Sequence, residues 1–333
     1  LASTGEGEVA FKRILELYPE RAWEFAPSSH FIDKKGKYVK TAPVERIADL
    51  NTIPSPYLSG FFEPLMRANP EEQWIGLWET NRGCPFTCAF CDWGVGSKKR
   101  MTDYNMERIL REIDWFSENK IQFVYCADAN FGMFKERDLA IAERFAENKR
   151  KHGYPEGLSV QNTKNSTDSS YNIQRVLSDA GLNKGVTLAV QSLDSKVLKA
   201  IKRANIKGEV YNELQKRFTR DGVHTYSDII LGLPEETLET FIDGVSQLVT
   251  RGQHNRIQFN NLSILPNAEM GDSEYQRRYG FDLVTSKMIN VHGSLGEWAD
   301  EIYETETLVV ATNTMPREDW VKARQFSWMS SLL

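Results

Sequence analysis

The most constraining feature of this sequence is a regular alternation of short apolar segments with amphipathic helical segments, which begins near residue 73. Six apolar segments have the length and composition of strands, and they span 74–79, 122–127, 158–161, 186–190, 225–231 and 256–265. Between them, apolar residues recur at helical spacing, as in the series Met106, Ile109, Leu110, Ile113 and Phe116. Such alternation is typical of βα units and a parallel sheet. Because a closed barrel of this type has eight strands, six strands predict an α/β fold with a partial, TIM-like (β/α)6 barrel.

The predicted barrel occupies residues 71–268 and leaves a region on either side. Residues 1–70 contain one helical pattern at 9–17 and then a segment interrupted by prolines, which we interpret as a connector. Residues 269–333 are expected to form a helical extension with many aromatic side chains. Both ends of the chain fall inside continuing patterns, so we expect a fragment of a longer protein, with its C-terminal extension cut short.

The composition is that of a folded protein, with 41% hydrophobic and 26% charged residues among 333. The net charge of −5 and the pI near 5.7 count against a nucleic-acid partner, because nucleic-acid binders usually carry a basic surface. We therefore expect a small molecule or a peptide as substrate. No apolar run approaches the ~20 residues that cross a bilayer, and the start lacks the pattern of a signal peptide. The sequence thus predicts a cytoplasmic protein without a membrane partner.

Three of the four cysteines lie within eight residues, at Cys84, Cys88 and Cys91, directly after the first predicted strand. A disulfide framework would spread its cysteines along the chain, so this grouping indicates a metal site. Thiolate ligands select iron–sulfur clusters or zinc. A closed zinc site needs a fourth ligand, and none of the five histidines is near these cysteines in the sequence. On a four-iron cluster, three thiolates would leave one iron free for the amine and carboxylate of a small molecule.

The pattern Cys-x3-Cys-x-aromatic-Cys, on a loop after the first strand of a βα series, resembles the signature of the radical S-adenosylmethionine (SAM) superfamily. The resemblance implies that the three cysteines hold a 4Fe-4S cluster, that SAM binds its open iron, and that SAM is cleaved reductively to a 5'-deoxyadenosyl radical. It also implies an external electron donor of the flavodoxin or ferredoxin type. Zinc binding or a chance spacing is the alternative. Cys126 lies alone in an apolar strand and is expected to be a buried small hydrophobe.

The later strand ends resemble the SAM-binding half of the oxygen-independent coproporphyrinogen dehydrogenases. This resemblance assigns SAM contacts to Gln191 and Ser192, at the end of the fourth strand. It assigns further contacts to Arg203, one short helix later, and to Asp228 in the fifth strand. A guanidinium can grip the methionine carboxylate, and a carboxylate can accept hydrogen bonds from both ribose hydroxyls. The alternatives are a solvated helix end for Arg203 and a structural hydrogen bond for Asp228.

Two other strand ends are candidates for the same cavity. Asp128 and Asn130 follow the second strand, where the superfamily approaches the amino group of SAM, although the glycine-rich form common there is absent. The polar residues that follow the third strand either face the cavity or form a surface loop, and they are Gln161, Asn162, Lys164 and Asn165.

Residues 4–8 and 53–60 resemble the connector that follows an N-terminal cobalamin-binding domain in cobalamin-dependent radical SAM proteins. This resemblance implies that cobalamin (vitamin B12) is a further cofactor and that the reaction is methylation of an unactivated carbon. The cofactors would then supply the difficult chemistry and the protein the placement. Two alternatives stay open: a cobalamin-independent radical SAM oxidoreductase or methylthiotransferase, and a non-enzymatic iron–sulfur or zinc module.

Overall fold

The computed structural model describes residues 1–96, 100–163, 168–183, 185–253, 255–288 and 304–331. The chain divides into two compact units. The first comprises Leu1–Pro54 with Thr102–Tyr104, and the second comprises the remaining ranges, Ser55–Met101 and Asn105–Leu333.

The first unit is built on a three-stranded antiparallel sheet in the order β1-β2-β3. Its elements are β1 (Ala2–Ser3), α1 (Gly7–Glu16), β2 (Ser29–Ile32) and β3 (Tyr38–Lys40), with short 3-10 turns at Trp23–Phe25 and Leu50–Thr52. Helix α1 confirms the helical pattern at 9–17. The sheet was not predicted, because strands of two to four residues are too short to show an alternating pattern.

The second unit contains all six predicted strands, and their prediction is confirmed. They are β4 (Ile75–Trp78), β7 (Phe123–Cys126), β8 (Gly157–Ser159), β9 (Val186–Thr187), β10 (Thr225–Leu231) and β11 (Arg256–Asn261). They form two parallel three-stranded sheets, β4-β7-β8 and β11-β10-β9. Two further segments of extended chain are β5 (Asn81–Arg82) and β6 (Thr102–Asp103), the latter assigned to the first unit.

Helices alternate with these strands, as the spacing predicts. The helices of the second unit that precede β11 are α2 (Glu63–Ala68), α3 (Trp93–Gly96), α4 (Met106–Glu118), α5 (Lys135–His152), α6 (Asp168–Asp179), α7 (Ser195–Ala200), α8 (Gly208–Arg220) and α9 (Leu238–Thr250). Trp78 of β4 packs edge-on against Phe116 of α4 and Phe145 of α5, with ring centroids 5.9 and 5.5 Å away. One face of the first sheet is therefore covered by helices.

The second sheet is covered in the same way, and its central strand is also fixed by polar contacts. Val186, Ile229 and Leu231 belong to a buried cluster that includes residues of α8 and α9. Beneath this cluster, buried Gln253 donates to the carbonyl oxygen of Thr225 at 2.8 Å and accepts a hydrogen bond from the hydroxyl of Ser227 at 3.0 Å. These contacts hold β10, the strand that carries Asp228.

The C-terminal region differs from the predicted helical extension, which was wrong in part. It contains helices α10 (Ser273–Tyr279) and α11 (Arg317–Ser330), but between them β12 (Asp282–Lys287) pairs antiparallel with β13 (Thr305–Ala311). Strand β13 is rich in threonine and valine, whose β-branched side chains favour strands. Of the aromatic residues expected there, Trp320 and Phe326 pack on the core and Trp328 is exposed, whereas Trp298 and Tyr303 lie outside the described residues.

None of the helices in the described ranges combines the length and the apolar character needed to cross a membrane.

Candidate active site

The three clustered cysteines lie on a loop that is tied to two distant parts of the chain. At its centre, the amide of Ala89 donates to the carbonyl oxygen of Ile201 at 2.9 Å, and the carbonyl oxygen of Ala89 accepts from the amide of Met270 at 3.0 Å. Ala89 is fully buried among apolar residues that include Ile201 and Met270. The loop is thus positioned by the end of α7, where Arg203 follows.

The loop also closes tightly on itself through Gly94. A Cβ atom added at this glycine would lie 2.0 Å from the carbonyl oxygen of Phe86, well inside any allowed contact. Only glycine fits this close approach of two backbone segments. The sequence around Cys91 therefore includes a glycine for steric reasons.

A buried carboxylate fixes the chain just before the cysteines. Asp128 is fully buried, and its two oxygens accept hydrogen bonds from Thr80 and Asn81. The amide of Thr80 lies 2.7 Å from Oδ1, and the side-chain amide of Asn81 lies 2.7 Å from Oδ2. Burial raises the pKa of Asp128, and the hydrogen bonds from Thr80 and Asn81 oppose that rise. Since these partners engage its carboxylate, the predicted contact of Asp128 with SAM stays a prediction.

Asn130 makes a direct contact with the cysteine loop. Its Nδ2 donates to the sulfur of Cys84 at 3.2 Å, and both residues are buried. Its Oδ1 is buried without a hydrogen-bond donor among the described residues. Hydrogen bonds to ligand sulfur atoms are one of the factors that set the reduction potential of iron–sulfur clusters. The structure thus brings Asn130 to the predicted cluster site, and its predicted contact with SAM stays a prediction.

Arg203 is buried beside the cysteines. It is 6% exposed, so the alternative of a solvated helix end is wrong. Its Nε donates to Oδ1 of Asn205 at 2.8 Å and its Nη2 donates to the carbonyl oxygen of Ala189, whereas Nη1 has no acceptor among the described residues. Burial lowers the pKa of Arg203, and the neighbouring Cys88 sulfur and Asp228 carboxylate oppose that shift. The guanidinium is therefore held in place with one nitrogen left for a ligand.

A cavity of about 350 Å³ joins the predicted site residues. Five of the residues predicted to hold the cluster or SAM line it, namely Cys84, Cys91, Gln191, Arg203 and Asp228. Gln191 follows β9, Arg203 follows α7 and Asp228 lies in β10. These residues therefore lie around one cavity, and their contacts with the cluster and with SAM stay predictions.

Gln191 has an unusual backbone conformation in this cavity. Its φ is +65°, in the left-handed region that non-glycine residues rarely occupy, and such positions concentrate at functional sites. Its amide and that of Val190 both donate to the carbonyl oxygen of Asp228, at 2.8 and 3.3 Å. This turn ends the regular strand earlier than the sequence predicts. The side-chain Oε1 of Gln191 is buried and unpartnered within the described part of the chain.

The carboxylate of Asp228 lines the cavity between two cations. Burial raises its pKa, and the charges of Arg203 and Arg256 act in the opposite direction. Arg256 was not among the predicted site residues, because it stands as a single charge at the start of a strand in the sequence.

Ser192 contacts a buried acid that sequence reasoning missed. Its hydroxyl donates to Oε1 of Glu236 at 2.7 Å, while its carbonyl oxygen accepts from Nδ2 of Asn205 at 2.8 Å. Burial raises the pKa of Glu236 to about 8, the hydrogen bond from Ser192 lowers it, and the charge of Asp194 raises it. In the sequence, Glu236 follows another glutamate and resembles a solvated pair of charges. A contact of Ser192 with SAM stays a prediction.

The remaining candidates divide between the cavity and the protein core. Gln161 and Asn162 line the cavity, whereas Lys164 and Asn165 lie outside the described residues. Cys126 is fully buried, as expected, and burial raises the pKa of its thiol well above the usual value. The structure gives Cys126 no role at the site.

The donor set suits a thiolate-held cluster. Among the described residues, no three side chains of the His, Cys, Asp or Glu type converge on one position where a single metal ion could bind. Two of the sulfurs instead have cationic or hydrogen-bonding neighbours, Arg203 beside Cys88 and Asn130 beside Cys84. Such neighbours stabilise the negative charge of thiolates and of a sulfur-rich cluster.

Comparison with known proteins identifies the family to which this arrangement is similar. The family profile described as the Radical SAM superfamily matches residues 78–247, about half of the chain. The match begins at the end of β4 and continues into α9, so it includes the cysteine loop and every predicted SAM contact.

Two curated proteins match almost the whole chain. One is the cobalamin-dependent radical SAM methyltransferase TokK of Streptomyces tokunonensis, 37% identical over 326 residues, which are 97% of this chain and 47% of that protein. The other is the 2-(S-pantetheinyl)-carbapenam-3-carboxylate methyltransferase of Streptantibioticus cattleyicolor, 37% identical over 322 residues, which are 95% of this chain and 46% of that protein. The chain spans about half the length of these relatives.

Solved structures share the fold. The radical SAM methyltransferase TsrM from Kitasatospora setae superimposes with a TM-score of 0.67 at 15% identity, covering 98% of this chain and 66% of TsrM. The cobalamin-dependent SAM radical enzyme OxsB superimposes with a TM-score of 0.55 at 15% identity, covering 82% of this chain and 44% of OxsB. At such low identity the likeness concerns the fold alone.

The hydrogen bond from Asn130 to the Cys84 sulfur yields a test by redox titration. Asn130→Leu removes the donor while roughly preserving volume, so the midpoint potential of the reconstituted cluster should become more negative, because the reduced cluster loses a stabilising hydrogen bond. Asn148→Leu, at another buried asparagine that contacts Asp114 and not a cysteine, is the matched control and should leave the potential unchanged. Equal potentials for wild type and Asn130→Leu would show that the bond does not act on the cluster.

The buried Glu236 yields a test by thermal unfolding at different pH. Its folded pKa of about 8 lies above the ordinary glutamate pKa of 4.5, so the folded state keeps a proton that the unfolded state loses. Stability therefore falls as the pH rises from about 5 to 8 and then levels off, by a few kcal/mol at about 1.4 kcal/mol for each pKa unit. Glu236→Gln should remove this dependence of stability on pH. The melting temperature of the variant, measured relative to that of wild type, should therefore increase across that pH range. The exposed neighbour Glu235→Gln should not, and a constant offset between wild type and Glu236→Gln would contradict the raised pKa.

Proposed function

This chain belongs to the radical SAM superfamily, and we propose that the full-length protein is a cobalamin-dependent methyltransferase that methylates an unactivated carbon of a small molecule. The observation that carries the proposal is the cavity in which the cysteine loop meets Gln191, Arg203 and Asp228. The identity of 37% with two methyltransferases, over at least 95% of this chain, supports the reaction type.

The proposed architecture assigns each region a part in this function. The two parallel sheets and their helices, residues 71–268, would form the partial (β/α)6 barrel. Residues 1–70 would connect it to a cobalamin-binding domain, and residues 269–333 would extend it. The two parallel three-stranded sheets, both lining one cavity, support the barrel.

In this mechanism, the residues of the chain bind and orient the cofactors. Cys84, Cys88 and Cys91 would hold the 4Fe-4S cluster, with Asn130 donating to the first sulfur. When bound, the cluster supplies the electron that cleaves SAM, and cobalamin supplies a carrier for the methyl group. Burial of two of the three cysteines limits the access of water to this chemistry.

Polar groups around the cavity would orient SAM. The free Nη1 of Arg203 would donate to the methionine carboxylate, because its other nitrogens are already engaged. The carboxylate of Asp228 would accept from the ribose hydroxyls, and the unpartnered Oε1 of Gln191 would accept from a SAM donor. The predicted contacts of Ser192 and Asp128 with SAM stay predictions, and the side chains of these two residues also hold Glu236 and the segment before the cysteines.

The relatives and the sequence support proposals for the substrate, the reductant and the compartment. A carbapenam that carries a pantetheinyl thioether is the proposed substrate, by analogy with the relative that is named for it. The electron donor would be a flavodoxin or a ferredoxin. We place the protein in the cytoplasm, where such reductants act.

The products of turnover test the reaction class. Full-length protein should purify with cobalamin or take it up, and turnover of 2-(S-pantetheinyl)-carbapenam-3-carboxylate should yield both S-adenosylhomocysteine and 5'-deoxyadenosine, because SAM serves as methyl donor and as radical source. Both are measured by liquid chromatography with mass spectrometry. The Cys84→Ala variant should bind cobalamin yet form no 5'-deoxyadenosine.

Two results would contradict the proposal. Failure of the full-length protein to bind cobalamin would leave only a cobalamin-independent radical SAM reaction. Formation of 5'-deoxyadenosine without S-adenosylhomocysteine would point to oxidation or rearrangement in place of methylation.

A further inference from the structure

The first sheet leaves one of its faces uncovered, and that face is apolar. In β4 and β7, alternate residues are buried against the helices, while Ile75, Leu77, Phe123 and Tyr125 are 67%, 68%, 36% and 42% exposed. Ile75 pairs with Phe123 and Leu77 with Tyr125, so the four side chains share one face. Exposed apolar groups arranged contiguously indicate a binding surface.

The uncovered face of the second sheet is polar. In the β10–β11 register, Tyr226 pairs with Arg256 and Asp228 with Gln258. These four residues share one face, since neighbouring residues in register point the same way. The opposite face carries Ile257 and Phe259, which pack on the core.

The uncovered faces of the two sheets line the same space. The cavity that holds the predicted SAM contacts is lined by Tyr125 of the first sheet and by Thr187 and Asp228 of the second. A second cavity of about 550 Å³ is lined by Phe123 of the first sheet and Tyr226 of the second, and it shares Thr187 with the first cavity. One continuous space therefore has an apolar wall and a polar wall.

Arg256 is the cation of the polar wall. It is exposed, and within the described ranges its side chain makes no ion pair and no hydrogen bond. Its charge reaches the nearby Asp228 carboxylate, whose pKa it lowers. Arg256 thus lies beside the two cavities, on the face that carries Tyr226 and Asp228, and an exposed guanidinium at this place is suited to bidentate binding of a carboxylate.

We infer that this space binds an amphipathic carboxylic acid as the substrate, with its carboxylate on Arg256 at the edge of the space and its carbon skeleton against Phe123 and Tyr125. The inference rests on the proposed function, since it names the substrate class for the same site. We infer a small acid in place of a polypeptide segment, because the space continues directly into the predicted SAM cavity. Arg256 is then a specificity residue for the substrate and does not bind the cofactors.

The test compares a carboxylate probe with its neutral counterpart. The probes are 2-(S-pantetheinyl)-carbapenam-3-carboxylate and the corresponding 3-carboxamide, and binding is measured by anaerobic calorimetry on full-length protein with SAM and an oxidised cluster, so that no turnover occurs. A charge-assisted contact makes wild type prefer the acid by about 10- to 100-fold. In Arg256→Gln that preference should vanish, and in Arg256→Lys part of it should return.

Two control variants distinguish the loss of a contact with one wall from a general loss of structure. Arg277→Gln, at an exposed arginine of α10, should keep the full preference for the acid. Phe123→Ser should weaken binding of the acid and of the amide equally, because it removes an apolar side chain that lines the second cavity and changes no charge. The affinity for SAM should be unchanged in Arg256→Gln, which shows that the variant is folded.

Three results would overturn the inference: an unchanged acid preference in Arg256→Gln, equal binding of acid and amide by wild type, or binding of neither probe by wild type. The proposed function is judged separately. Wild type that methylates the carbapenam without preferring the acid would overturn only the assignment of Arg256. Wild type that binds the acid through Arg256 but forms no S-adenosylhomocysteine would overturn only the methyl transfer.

Discussion

Two backbone hydrogen bonds at Ala89 determine how the rest of the site is arranged. They hold the middle of the cysteine loop between the carbonyl oxygen of Ile201 and the amide of Met270. Because Arg203 follows Ile201 by two residues, the same anchor sets the guanidinium beside Cys88. Asp128 performs the corresponding task at the start of the loop through Thr80 and Asn81. The cysteines are thus positioned by buried backbone and carboxylate contacts of the protein itself, and pre-organised ligands of this kind reduce the ordering that cofactor binding requires.

The sequence was sufficient to predict the parts of this protein that have a local signature. Strand and helix periodicity predicted the six parallel strands, whereas the cluster site at the three cysteines stays a prediction from their spacing. The predicted contacts Gln191, Arg203 and Asp228 lie in the same cavity as Cys84 and Cys91. They could be proposed only through the resemblance to a family, because their proximity depends on tertiary structure. Their roles toward SAM are still predictions.

Other features had no local signature. The pairing of β12 with β13 joins segments separated by more than fifteen residues, so it cannot be predicted from the sequence of a short hairpin turn. Glu236 lies next to an exposed glutamate, and only burial against Ser192 distinguishes the two. Arg256 becomes significant once the register with Tyr226 places it on the uncovered face. In each case burial or register, which a single sequence does not encode locally, decides what the residue does.

The central claim is that Cys84, Cys88 and Cys91 hold a cluster with one iron open to SAM, and iron analysis combined with electron paramagnetic resonance tests it most directly. Anaerobically reconstituted protein should contain about four irons per chain, as expected for one cubic cluster, and SAM should change the spectrum of the reduced cluster. Alanine at any of the three positions should abolish the cluster, whereas Cys126→Ala should retain it. A loop-cysteine variant with its full iron content, or a spectrum that SAM leaves unchanged, would contradict the account.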